Sequence, residues 1–423
     1  MTRTNCIKAL GLALLLTLAL LTECHSAEPL EPFLKKLAPG VFLKSSVAAP
    51  PDQTAAIGKK LGGNLTKITN SVVQVHGRPI QVNGITAADE ASAAAVHAAL
   101  LKIKPFPFCF RNGLQVIEYV IQQPDEALAI KTTYELGLKE KPTRLRYRVV
   151  AELATVDEAD YMACNPLFNL FLTQSSKSTD GTVRQIEEMA KKFKFGQTLV
   201  LRNPQLGVEM GSHRFQPEST KQTATTTNVA YAFGPLPTRQ GVPYTKATLE
   251  ISTDASAVSA SAPPAAELTA ATRFWPADDA QIKALAAKIT AGKTTADAKV
   301  RAILEWLTLG KNIKYAGQTG SRWGTAKVLE QKSGHCWDFS DAFVTLARAA
   351  GVPSRQVAGW LYGSSGHVWA EYYREGQGWQ QVDPTGGTIL PCGIYHIAYF
   401  TTDDGVMPIV YVGMPKIEIL SEK

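Results

Sequence analysis

The 423-residue chain has no Trp before position 275; all seven lie between Trp275 and Trp379. It has no CxxC pair and no His/Cys cluster at metal-ligand spacing, so neither a structural zinc nor any other cofactor is expected. No dense Lys/Arg run with interleaved aromatics occurs, and the formal net charge is a mild +7, so nothing points to nucleic acid. A mildly basic surface of this kind suits anionic material such as a cell envelope. Beyond the N-terminus no apolar run is long enough to span a bilayer. No internal repeat is present. What remains is a globular composition, 45% hydrophobic and 19% charged, on a chain longer than one ordinary domain.

At the N-terminus, Arg3 and Lys8 precede an apolar run from Ala9 to Leu21 that ends near Cys24 and Ala27. That is the layout of a signal peptide over residues 1–27, and an exported protein, periplasmic or extracellular, is expected. Leu21-Thr-Glu-Cys24 also resembles a lipoprotein signal that would acylate Cys24, but Glu23 stands where a small residue is expected. Cleavage leaves Cys109, Cys164, Cys336 and Cys392. If Cys336 is a free nucleophile, at most one disulfide can form, with Cys109–Cys164 preferred and Cys392 a buried thiol.

Residues 28–252 read as a β-rich mixed domain. Ala87 to Lys102 and Val183 to Lys194 have helical patterns, whereas 115–121, 129–136 and 144–152 alternate like antiparallel strands with one wet face. Glu218 to Asn228 is polar, Thr-rich and expected as a loop. His76, His97 and His213 stand alone and carry no motif. A Ser/Ala/Pro-rich linker is expected at 253–272, ahead of a second domain at 273–423. There, 280–291 and 295–309 are helical, and Ile303, Trp306 and Leu307 form a core stripe.

The chemistry concentrates between Gly334 and Thr385. Apolar Phe339, Ala342, Phe343 and Leu346 follow Cys336 at helical spacing until Gly351 and Pro353 stop the helix. Ser333 is a plausible N-cap, which puts Cys336 in the first turn. Unsatisfied N–H groups and the helix dipole there favour a thiolate and can hold an oxyanion. His367 to Tyr373 and Gly378 to Asp383 read as paired strands around Arg374-Glu375-Gly376. A three-residue loop with positive φ at Gly376 pairs Tyr373 with Gln377, Glu371 with Trp379, Trp369 with Gln381, and His367 with Asp383. Turn chemistry alone thus brings imidazole and carboxylate together. Asp338 and Glu371 either support this site or simply cap and solvate their elements.

Gly334-His-Cys-Trp-Asp-Phe339, Arg348-Ala-Ala-Gly-Val-Pro-Ser-Arg355, His367-Val-Trp-Ala-Glu371, Gly378-Trp379 and Asp383-Pro-Thr385 together resemble the core of the transglutaminase-like superfamily. The resemblance covers about the last third of the chain. It implies an α+β, papain-like C-terminal core, a catalytic helix packed on an antiparallel sheet, and a triad of Cys336, His367 and Asp383. It also implies a thioacyl-enzyme formed on an amide of a peptide or protein, resolved by water in a peptidase or amidase, or by an amine in a transglutaminase. A non-catalytic peptide-binding protein retaining the fold is the alternative from another class. Animal members use calcium, but Asp403-Asp404 is too small an acidic cluster to carry that over. Tyr315, Trp323, Trp337, Trp360 and Tyr362 are candidate walls of the acyl-donor groove. The second oxyanion donor is not legible.

Overall fold

The computed structural model describes residues 41–75, 78–104, 106–121, 125–156, 167, 170–171, 180–202, 205–210, 213–215, 219–222, 228–232, 236–254, 266–308, 312–316, 322–363, 366–385 and 392–422. The expected signal peptide, Cys164 and most of the expected linker lie outside the described residues. The chain forms two compact units, 1–141 and 142–423.

In the first unit, strands β1 (Val41–Ala48), β2 (Leu65–Val75), β3 (Arg78–Ala87), β4 (Cys109–Asn112) and β5 (Gln115–Val120) form an antiparallel sheet in the order β1-β2-β3-β5-β4. Helices α1 (Pro51–Leu61) and α2 (Glu90–Leu101) join them, and α3 (Glu126–Glu135) follows β5. One face buries Val73, Val75, Ile80, Val82 and Ile117 against Leu128 and Ala129 of α3. The other buries Ile68, Ile85 and Val116 against Leu61 of α1 and Val96 and Leu100 of α2. Burial on both faces explains why β2 and β3 run apolar instead of alternating cleanly.

Residues 129–136, expected as a strand, are almost wholly the helix α3. Asp125 caps it by accepting the Leu128 N–H at 2.9 Å. The hydroxyls that suggested alternation bond back along the helix, Thr132 to Leu128 O at 2.7 Å and Thr133 to Ala129 O at 3.0 Å. Cys109 is a free, buried thiol in the second core rather than half of a disulfide.

The second unit is built on β6 (Arg144–Val156), whose residues alternate between exposed and buried as its sequence requires. Here follow α4 (Asp180–Ala190), β7 (Thr198–Arg202), β8 (Gln205–Met210), β9 (Asn228–Ala232) and β10 (Thr245–Asp254). β10 lies between β6 and β8, while β9 lies between β7 and the strand Ser219–Gln222. The Thr-rich segment expected as a loop therefore contributes this strand, consistent with the β propensity of Thr.

Four helices come next: α5 (Ala280–Ile289), α6 (Ala296–Thr308), α7 (Thr325–Gln331) and α8 (Cys336–Ala349). Then come β11 (Ser354–Leu361), β12 (Gly366–Arg374), β13 (Gly378–Val382) and β14 (His396–Thr402), an antiparallel sheet in the order β13-β12-β11-β14. Phe339, Phe343, Leu346 and Ala347 of α8 pack with Ile303 and Leu307 of α6 and with Ala370 and Val382 of the sheet. This is the α+β arrangement expected, a helix on an antiparallel sheet.

The last strands, β15 (Ile409–Tyr411) and β16 (Lys416–Glu422), return to pair with β6. That return explains why 142–254 shares a compact unit with 273–422, whereas a border at 253–272 was expected. No helix among the described residues is long and apolar enough to cross a membrane.

Candidate active site

Cys336 is the first helical residue of α8, and the N-cap is His335 rather than Ser333. Ser333 instead lies in a two-residue strand that pairs parallel with Lys314–Tyr315. Asp338 Oδ2 accepts the His335 backbone N–H at 3.1 Å and lies 3.0 Å from His335 Nδ1. Its Oδ1 accepts the Trp323 N–H at 2.8 Å. Asp338 is thus a cap that also ties α8 to the preceding loop. Gly334 makes the cap possible: a Cβ there would stand 2.7 Å from the Asp338 Cβ. The Cys336 N–H, at the first position, has no acceptor within its own helix, which suits it to donate to an oxyanion.

His367 and Asp383 meet, but by a different register from the one expected. Arg374 opposes Gly378, Tyr373 opposes Trp379, and Glu371 opposes Gln381. The loop is therefore 375–377, with Gly376 at φ +73° and the flanking Gly378 also at positive φ. The slip amounts to two residues, and side chains alternate with period two, so every residue keeps its face. His367 and Asp383 become diagonal neighbours instead of directly opposed ones. His367 Nε2 lies 2.7 Å from Asp383 Oδ2. The diagonal also joins Trp369 Nε1, which donates to Gln381 Oε1 at 3.2 Å.

The ring of His367 also lies beside the Cys336 thiol, close enough for each to shift the other's proton affinity. With Nε2 on the carboxylate, Nδ1 is the nitrogen left for the thiol. The three residues singled out from sequence therefore form one chain of contacts, thiol to imidazole to carboxylate.

Two neighbours went unread. His396, first residue of β14, places Nε2 3.0 Å from the same Asp383 Oδ2. His335 sets a second imidazole beside the thiol. Its adjacency to Cys336 was visible, but the sequence pairs His396 with nothing nearby. Strand β11 separates the two rings on Asp383, since Gly359 opposes His367 and Leu361 opposes His396. Gly359 must lack a side chain: a Cβ would lie 2.2 Å from the Trp369 ring and 2.3 Å from Ile397 O. The donor atoms of His367, Asp383 and His396 all lie within 4.8 Å of one another. Oδ2 is already engaged by both rings, so the cluster is held together by its own hydrogen bonds.

The proposed groove walls divide. Trp360 is fully buried and Tyr362 nearly so, which makes them core. Trp337 is buried too and donates from Nε1 to Gln356 Oε1 at 3.2 Å. Tyr315 is 56% exposed and close enough to feel the charges of Cys336 and Asp383, so it stands at the rim. Glu371 is wholly buried away from solvent: Arg355 donates to its Oε2 at 2.8 Å, while Arg202 at 2.6 Å and Gln381 at 3.2 Å donate to Oε1.

Residues 283–384 match the profile of the Transglutaminase-like superfamily. This segment is similar to a transglutaminase-like core. The chain is 35% identical over 71 residues to a protein-glutamine gamma-glutamyltransferase of Pseudomonas aeruginosa, covering 14% of this chain and 11% of that one. It is 29% identical over 154 residues to the uncharacterized protein YebA of Bacillus subtilis, covering 29% and 19%. The matches thus span less than a fifth of those relatives. A solved structure from Cytophaga hutchinsonii, proposed to be a cysteine protease, aligns with TM-score 0.38 at 15% identity, over 67% of this chain and 93% of that one.

Within the transglutaminase-like core the electrostatics favour an ion pair. Burial alone would push the Cys336 thiol up, but the hydrogen bond and charge of His367, with the charge of His335, bring it below its ordinary value. Burial opposes charge on His367, yet Asp383 and Cys336 raise it to about 10. Asp383, despite burial, is held well below the carboxylate range by His367 and His396. Cys392 is pushed far up by burial and by the charges of Asp383 and Glu371, so it is a poor nucleophile. Tyr315 is raised to about 12 by burial, then by Cys336 and Asp383, and stays a neutral hydroxyl.

Proposed function

We propose that the protein is an exported thiol enzyme that acts on amide bonds of peptides or proteins. The observation that carries this reading is the imidazole of His367, 2.7 Å from Asp383 on one side and beside the Cys336 thiol on the other. The Cys336 thiolate attacks the carbonyl carbon, and the negative charge moves to the carbonyl oxygen, facing the Cys336 N–H. As the tetrahedral intermediate collapses, the C–N bond breaks and imidazolium His367 gives its proton to the leaving amine. A thioester on Cys336 remains. His367, neutral again, takes a proton from water, whose oxygen attacks the thioester. The thiolate leaves and a carboxylic acid departs. Asp383 holds the imidazole in one tautomer and stabilises its charged form throughout.

Partial exposure of Cys336 and the exposed Tyr315 at its rim leave the thioester open to water, which favours a peptidase or amidase. The second reading is acyl transfer to an amine, supported by the name of the Pseudomonas relative. Mass spectrometry separates them: the mature protein is incubated, reduced, with a peptide pool and a labelled primary amine, with Cys336→Ala as control. Cys336-dependent new termini are expected. Label on glutamines instead would establish transfer, and silence in both channels would overturn the enzymatic reading.

A further inference from the structure

Asp383 lies one residue beyond the end of β13, so the sheet's ladder does not hold it. Its carboxylate is fixed by side-chain and turn contacts alone: Oδ1 accepts the Thr385 N–H at 3.0 Å, and Oδ2 takes His367 at 2.7 Å and His396 at 3.0 Å. His396 reaches it from the opposite side of β11. We propose that His396 is a positioning residue that locks Asp383 behind His367, and that β6 and β10 hold it in place. The inference rests on the thiol–imidazole–carboxylate reading above and adds a fourth member to it.

The ring of His396 is itself constrained. Gly393 N–H donates to His396 Nδ1 at 3.4 Å, so the ring's own proton sits on Nε2, aimed at the carboxylate. The ring stands edge-on to Trp369, with centroids 5.1 Å apart at 79°, and Trp369 stacks on His367 at 5.9 Å. Trp369 thus packs against both of the rings that bond the carboxylate. The turn before His396 is pinned from the other sheet: Tyr147 of β6 and Thr253 of β10 donate hydroxyls to Ile394 O at 3.0 and 2.6 Å. Tyr362 N–H adds a bond to Tyr395 O at 2.9 Å. Two residues, Tyr147 and Thr253, are thus tied through one carbonyl to the turn that carries His396. Besides the two histidines, the titratable groups facing Asp383 are Cys392 and Tyr315, and those facing Cys336 are His335 and Tyr315.

The test follows iodoacetamide alkylation of Cys336 by peptide mass mapping over a pH series, so no substrate is needed. His396→Ala should free the carboxylate to turn and admit water. The thiol should then become reactive only at higher pH, and its rate near neutrality should fall about 10-fold. His396→Gln, whose amide N–H can reach Oδ2, should recover most of the rate and the profile. A wild-type profile in His396→Ala overturns the proposal. So does a Gln variant no better than Ala, or one as slow as Asp383→Asn when Ala does not fold. His367→Ala and Asp383→Asn are the references. If they leave the profile unchanged, the underlying triad reading has failed; if they shift it and His396→Ala does not, only this inference has failed.

Discussion

The sheet of residues 41–120 and the sheet that carries His367 solve burial in different ways. The first is apolar on both faces, Val and Ile against α1, α2 and α3, and its buried charge is confined to groups such as Glu118, which meets Lys104 at 2.8 Å and Asn83 at 2.9 Å. The second buries Glu371, Arg355 and Gln356 outright and pairs them with partners from several elements. Apolar packing tolerates small changes of shape, because neighbours can relax. A buried ion network does not, because removing one partner strands the others. The contrast places stiffness under the candidate site, and substitutions can break or sharpen it.

The largest effect is expected at Glu371. Glu371→Ala leaves Arg355 and Arg202 without their carboxylate and should cost about 3–5 kcal/mol, read from denaturant unfolding. Burial opposes its charge, but the two guanidinium groups hold Glu371 down at about 2. Because the folded value lies below the unfolded one, this stabilisation is complete above the ordinary carboxylate value and is lost as pH falls towards 2. In the first unit, Ile85→Val should cost only about 1 kcal/mol. Equal losses for the two variants would abolish the contrast.

Next comes His367→Ala. Without the imidazolium, burial dominates Cys336 and the thiol returns above its ordinary value of 9.0. Alkylation near neutral pH should slow by about 100-fold, and the step in the pH profile should move upward. In the native protein the ion pair persists from the depressed thiol value up to loss of the His367 proton at about 10. A profile unaltered by His367→Ala would detach the histidine from the thiol.

How much of this was legible follows the same contrast. Periodicity, a stop at Gly351 and turn residues identified α8, β12 and β13, because each signal lies inside its own element. The His367–Asp383 meeting survived a wrong register only because the slip was even. Helix α3 was misread because Thr132 and Thr133 satisfy their hydroxyls within the helix, which composition does not reveal. His396 was invisible for a stronger reason: it joins Asp383 with both β12 and β11 between their strands, and no spacing along the chain encodes such a neighbour. The return of β15 and β16 to β6 from the far end of the chain is hidden in the same way.

The smallest effect separates two roles that one residue combines. Two helices of the first unit, α2 and α3, are capped by aspartates, Asp89 and Asp125, which add negative charge at the N-terminus. At α8 the cap is His335, and Asp338 completes the box. Burial disfavours its charge, but Asp338 and then Cys336 raise His335 above its ordinary value, which favours a positive ring beside the thiol. His335→Ser supplies a capping hydroxyl but removes both that charge and its 3.0 Å contact with Asp338, so stability should change by about 1 kcal/mol or less. The sign at Cys336 is fixed: losing a cation nearby raises the thiol, so alkylation near neutral pH should slow by about threefold. Raising pH through the His335 titration in the native protein should remove the same contribution. His335→Asp goes further, restoring the kind of cap used by α2 and α3, and its negative charge should slow alkylation more than Ser does. If Ser and Asp behave alike, the cap acts through hydrogen bonds only, and the α8 terminus differs from the others in its cysteine and not in its charge.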